Sequence, residues 1–157
     1  MKSIIFVVGA IIFVLSSFSV VFAETNMEGS NLTGSSLQKC KLSGVNFSNA
    51  VLRDVNFQEA DLSKASFRLS ILRGSIFRNA NLRDANLKSC DLSDCNFEGA
   101  DLTGADLGGA NLQGVNFKNA ILKGIDLSST VWPMVICPDG TLSNQSNFSC
   151  EGHISVK

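Results

Sequence analysis

At 157 residues, with 13 basic and 14 acidic side chains and a formal charge of −1, the chain has room for one domain and no charge excess that would argue for general nucleic-acid affinity. A single histidine, His153, leaves little from which to build a nucleophile–base pair.

The first element is residues 1–23. Lys2 precedes an apolar run from Ile4 to Leu15, and Val21-Phe22-Ala23 precedes Glu24, the pattern of a secretory signal with small residues at the cleavage site. The other reading is an uncleaved membrane anchor, since Ser3–Ala23 is an uncharged run of 21 residues. The interruptions at Ser16, Ser17 and Ser19 and the Ala-Glu junction favour cleavage, which predicts a bacterial protein of the periplasm or medium with no membrane contact once processed. Without Lys2 the remaining chain holds 12 basic and 14 acidic residues.

The second element, residues 24–130, repeats every five residues. Twenty consecutive beats, from Leu32, Leu37, Leu42 and Phe47 through Leu122 and Leu127, are all Leu or Phe. Two residues before each beat lies Ser, Ala, Val or Cys, with Ile125 the one larger exception. Five residues advance an α-helix by about 500°, so no single apolar stripe forms. On a flat strand a step of five swaps faces each time. A chain that turns a corner once per repeat can point every beat inward. In fourteen of twenty repeats the residue two after the beat is Gly, Asn or Asp, types that tolerate positive φ. No proline falls between Asn31 and Ser129, as suits coils that pair through their N–H groups. The position just before the beat is mostly Asn or Asp and is expected to face water. The period gives five residues per side; columns form at a lag of twenty and also of ten, so the number of sides stays open on spacing alone.

Units such as Ala100-Asp101-Leu102-Thr103-Gly104 and Ala80-Asn81-Leu82-Arg83-Asp84 resemble the pentapeptide repeat family, over about 100 residues in tandem. The resemblance implies an all-β fold: a right-handed quadrilateral β-helix with twenty residues per coil. At a strand spacing of roughly 4.8 Å, five coils would make a rod about 24 Å long.

The third element, residues 131–157, is expected to be a cap and tail, because open strand edges invite further chains and repeat rods need capping. Trp132 falls on the next beat and is placed over the last Leu layer, and Pro133 is expected to stop further pairing. Cys137 and Cys150 are read as lying outside the repeat, and export makes them the expected disulfide. Closing a loop of about 14 residues, it would contribute on the order of 3 kcal/mol. Exported relatives carry a similar Cys-Pro-Asp-Gly-Thr tail, here Cys137–Thr141. At the other end Met27 keeps the beat, and the N-terminal edge is left open to self-association.

No chemistry stands out. Cys40, Cys90 and Cys95 fall in the small interior slot and read as structural thiols. Asp91, Asp101, Asp106 and Asp126 lie on a convex surface without a cleft. Asn/Asp columns do not converge as Ca²⁺ ligands must. The chain is therefore read as non-enzymatic, without metal or cofactor. The surface is more informative. Arg73, Arg78, Arg83 and Lys88 follow four successive beats, with Arg53 and Arg68 in the coil before, so a basic belt lies beside the acidic Asp91–Asp106 coil. Val51, Ile71 and Ile76 occupy the usually polar slot, and Leu69 a corner. The patch Val51, Arg53, Arg68, Leu69, Ile71, Arg73, Ile76 and Arg78 is the candidate partner surface. The blander account is charge complementarity between rungs and tolerated β-formers.

An exported structural or interaction module with an unknown protein partner follows. The alternative is a DNA mimic: some cytoplasmic members of the resembled family bind DNA gyrase through an acidic surface. The balanced charge, basic middle and export signal depart from that pattern.

Overall fold

The computed structural model describes residues 26–130, 133–143 and 150, together with the backbone of 4–7 and 10–13. The expected cleavage site at Val21–Glu24, the Trp132 cap and His153 lie outside the described residues. Ile4–Val7 (β1) and Ala10–Phe13 (β2) pair antiparallel, with Ile4 opposite Phe13. No helix among the described residues is long and apolar enough to cross a membrane.

From Asn26 onward each repeat contributes one short rung. The residue before the beat bridges, in parallel, the residue twenty positions later: Asn31 to Val51, Val51 to Ile71, Ile71 to Asp91 and Asp91 to Asn111. Five residues per side and twenty per coil make the coil four-sided, and the lag of ten drops out. The beats are inside, with Leu52, Leu62, Phe67, Phe77, Leu82 and Phe97 fully buried. On two sides they are aromatic. Phe57, Phe77 and Phe97 stack at centroid distances of 5.0 and 4.7 Å, and Phe47 stacks on Phe67 at 5.1 Å. The two stacks meet edge to face, Phe57 to Phe67 at 5.9 Å, which fills the centre of the coil. A second large side chain per repeat would collide there, and this explains the small slot.

The backbone hydrogen bonds account for nearly every polar group in the repeat. In the coil of Leu32, the beat N–H donates to the next coil (Leu32 to the Val51 carbonyl, 2.9 Å), as does the corner N–H (Gly34 to Arg53, 2.9 Å). The small-slot N–H closes a turn on the beat carbonyl (Ser35 to Leu32, 3.0 Å). The rung N–H donates back to the previous coil (Val51 to Ser30, 2.8 Å). Only the N–H directly after the beat takes no part. The third turn residue must then have positive φ, as in a type II turn. Every corner from Gly29 to Met134 has it, including Lys39, Glu59, Lys64 and Leu69 at φ 57 to 62. The fold imposes the turn even where the residue does not favour it.

The expectation that the rung Asn and Asp face water needs correction. They are mostly half-buried, and their Oδ1 accepts the unused N–H two residues on: Asn81 from Arg83 at 3.2 Å, Asp101 from Thr103 at 2.9 Å, Asn116 from Lys118 at 2.9 Å. Each is a local side-chain cap of the turn that follows.

The expectation that Pro133 stops pairing is also corrected. Gly114 donates to the Pro133 carbonyl at 3.0 Å, Phe117 to Ile136 at 2.8 Å and Asn119 to Pro138 at 2.8 Å. Both prolines follow a beat, where the coil uses no N–H, so their missing donor breaks no rung bond. Cys137 is itself a beat, buried above Phe117 in the Leu37/Phe57/Phe77/Phe97 column, and therefore belongs to the repeat. After Pro138 the chain reverses. Leu142 pairs antiparallel with Ile136, and Cys137 donates to Thr141 at 2.7 Å. This hairpin stands where the next coil would lie, and Cys150, also buried, is disulfide-bonded to Cys137 over the Phe column.

Candidate functional site

With the interior filled, the exterior is what remains. The described residues hold no cluster of three or more His, Cys, Asp or Glu. Cys90 and Cys95 point inward, their thiols donating to the Phe67 and Leu72 carbonyls at 2.8 and 3.0 Å. Burial pushes the Cys90 thiol up to about 11 and that of Cys95 higher still, so neither supplies a thiolate at neutral pH.

The basic belt is largely neutralised from the next coil. Arg73 meets Asp94 at 3.3 Å, Arg78 meets Glu98 at 3.4 Å, Arg83 meets Asp101 at 3.0 Å and Lys88 meets Asp106 at 2.9 Å. These pairs are exposed, and each contributes well under about 1 kcal/mol. Arg53 and Arg68 form no ion pair with the described residues.

The apolar candidates lie where the spacing put them. Val51 and Ile71 are bridged neighbours in the middle of one side. Leu69 occupies the corner at one end of that side, 46% exposed at φ 62. Arg53 and Arg73 hold equivalent positions on successive coils at the other end, where Asp54 donates to the Arg73 carbonyl at 3.0 Å, and Ile76 lies half-buried on the next side.

One feature of this surface is not legible without the hydrogen-bond pattern. Val51, Ile71 and Ile76 replace the Asn or Asp that would cap the following turn, and Ser66 does not cap its own. The backbone N–H groups of Arg53, Arg68, Arg73 and Arg78 therefore have no acceptor among the described residues, whereas Asn81 and Asn86 cap those of Arg83 and Lys88. All four arginines of the candidate surface are among the uncapped donors, which also include the amides of Gln38, Ser43 and Lys123. An apolar side with free amides and guanidinium groups at its corners can take carboxylate or phosphate oxygens and aliphatic side chains together.

A family model described as "Pentapeptide repeat region" matches residues 12–87, and one described as "Pentapeptide repeats", in eight copies, matches residues 90–128. The chain belongs to the pentapeptide repeat family. Proteins of this family are right-handed quadrilateral β-helices and generally serve as structural or interaction modules. Among solved structures, a pentapeptide repeat protein from the thylakoid lumen of Arabidopsis thaliana is 29% identical with TM-score 0.63, covering 64% of this chain and 70% of its own. Rfr23 of the cyanobacterium Cyanothece 51142 is 26% identical with TM-score 0.55, covering 68% and 82%. The plasmid-mediated fluoroquinolone resistance protein QnrB1, at 19% identity and TM-score 0.50 over 72% and 74%, shares the fold. Comparison with curated proteins finds no match.

Proposed function

We propose that this chain is an exported, non-catalytic interaction module. It is a rod of about five coils, closed at its C-terminal end by the Cys137–Cys150 segment, and it docks an anionic protein partner on the side of Val51 and Ile71. The observation that carries this reading is the set of uncapped amides at Arg53, Arg68, Arg73 and Arg78 around an apolar side. Four of the seven turn amides that lack a cap among the described residues belong to these arginines, the others being those of Gln38, Ser43 and Lys123. Leu69 adds to it: a leucine held in the left-handed region costs about 1–2 kcal/mol, and this one remains half in solvent. Export is supported by the Lys2–Ala23 pattern and by a cystine in a chain this small. The likeness to QnrB1 is one of fold alone and does not carry the DNA-mimic reading.

The test uses a photo-crosslinking residue at position 71 and a control at position 123, with the protein expressed in an exporting bacterial host. Fractionation with mass spectrometry of the N-terminus should place the protein outside the cytoplasm, beginning at Glu24. A discrete adduct should form from position 71 and not from 123, and should disappear in an Arg53→Glu/Arg68→Glu variant. An adduct indifferent to that charge reversal would overturn the docking surface, and an intact N-terminus in the cytoplasm would overturn export.

A further inference from the structure

The two ends of the rod differ, and the difference sets what can join them. In every coil the rung residue points both its N–H and its C=O toward the N-terminal end. Val51 donates to Ser30 at 2.8 Å and accepts from Leu32 at 2.9 Å, both in the preceding coil. In the first coil the corresponding groups of Asn31, Ser36 and Lys41 have no hydrogen-bond partner among the described residues. Three sides thus each present a donor and an acceptor from one residue, directed out of the end of the rod. That arrangement fits an antiparallel hydrogen-bonded pair, in which two opposed residues exchange both bonds. A parallel partner would instead supply the acceptor and the donor from two different residues on its own edge, as Ser30 and Leu32 do for Val51.

We infer that the N-terminal end pairs with the N-terminal end of a second copy, forming a closed two-fold dimer by antiparallel addition at the first coil. The C-terminal end decides against a filament. There, on the Ile136 side, the hairpin through Thr141 and Leu142 already takes the outward Cys137 N–H, and Ser143 takes the Val135 carbonyl at 2.7 Å, while the outward N–H groups of Leu122 and Leu127 on two other sides have no partner among the described residues. A head-to-tail contact would have to displace this bonded, disulfide-anchored hairpin on one side, whereas a head-to-head contact meets edges that have no partner among the described residues. Isologous contacts close on themselves. Charge agrees with one arrangement of the sides. Lys41 is an exposed edge lysine, a residue that discourages pairing with its own kind. A two-fold axis that sets Ser36 opposite Ser36 places Lys41 across from Asn31 and keeps the two ammonium groups apart. This edge adjoins the docking side through the Asn31 rung, but the pairing uses none of its arginines.

The experiment is sedimentation equilibrium of the full chain across a concentration series, with hydrogen exchange at the lowest and highest concentrations. The expected mass rises to twice that of one chain, as mass spectrometry of the same sample gives it, and stops there. The Asn31, Ser36 and Lys41 amides should exchange fast when dilute and slow when concentrated. Ser36→Pro removes an outward donor, and Ser36→Lys adds charge at the axis. Each should leave a single chain with an unchanged circular dichroism spectrum. A monomer at all concentrations, a mass that grows beyond two chains, or a dimer unaffected by Ser36→Lys would overturn the inference. So would slow exchange of these amides in the dilute protein, because another part of the same chain would then occupy the edge.

Discussion

Replacing Phe77 by alanine tests the claim that the coil interior is a continuous, filled column. Phe77 is fully buried, with Phe57 at 5.0 Å on one face, Phe97 at 4.7 Å on the other and Phe67 against its edge at 6.2 Å. Removing a buried phenylalanine costs about 3–5 kcal/mol, with the larger values where the site cannot collapse. Collapse is blocked here, because each coil is held to its neighbours by rung hydrogen bonds on every side. The stacked pairs add about 0.5–1.5 kcal/mol each to what is lost. The expectation is therefore the upper part of that range, about 4–5 kcal/mol. Phe77→Leu should cost much less, about 1–2 kcal/mol, because Leu37 occupies the same column and a rung accepts either residue. The assay is urea unfolding followed by circular dichroism, with midpoint and slope both fitted. In a one-dimensional stack a cavity also weakens the coupling between the coils on either side of it, so the alanine variant should unfold over a broader range with a lower apparent slope. A cost under about 2 kcal/mol for Phe77→Ala, or equal costs for the two variants, would show that the column is not packed as described.

Gly34→Ala and Gly74→Ala should cost similar amounts. Both glycines have positive φ (71 and 73); a Cβ at position 34 meets nothing within 4 Å, and one at position 74 meets only the Asp54 carboxylate, the far end of an exposed side chain that can swing aside. Thermal melts should show about 1–2 kcal/mol for each, from backbone strain. Iodoacetamide labelling read by mass spectrometry should modify half-buried Cys40 first, leaving Cys90 and Cys95 untouched until the rod unfolds. Burial raises the Asp101 pKa, but the Thr103 hydroxyl and amide and the Arg83 guanidinium outweigh it and hold the carboxyl below the usual range. A depressed native pKa stabilises above the unfolded value and loses that contribution as pH falls through the native one. Wild type should thus lose stability below about pH 4 more steeply than Asp101→Asn, measured by denaturant midpoints across pH.

The repeat made the interior legible in the sequence, because inward and outward positions follow from the period and from side-chain size. The beats from Leu32 to Leu122 and the small slots beside them are inside as read, and Val51 and Ile71 share a side as read. The number of sides was open on spacing alone, since both ten and twenty divide into the pattern; the rung from Val51 to Ile71 decides it. Whether a rung asparagine faces water or folds back on its own turn was not legible either. Composition cannot tell a solvated amide from one spent on capping the next N–H, and that distinction bears on the arginine surface, where four amides are uncapped.

The C-terminus shows why reading a residue type without its hydrogen-bond role goes astray. Proline is expected to stop a strand because strands need their N–H groups. In this coil the N–H after the beat bonds no neighbouring coil, and in most repeats it turns to an Asn or Asp side chain instead. Pro133 and Pro138 both occupy that position, and both pass their carbonyls to the coil below, at Gly114 and Asn119. What ends the rod is the change of direction after Pro138. A turn at Asp139-Gly140, with Gly140 at φ 86, sends Thr141–Ser143 back along Val135–Cys137, and an antiparallel segment takes the groups that another parallel coil would have used. The disulfide then ties Cys150 to a beat at the top of the Phe column. The described segment from Pro133 to Ser143 thus uses the repeat's own positions, with only the direction of its last strand altered.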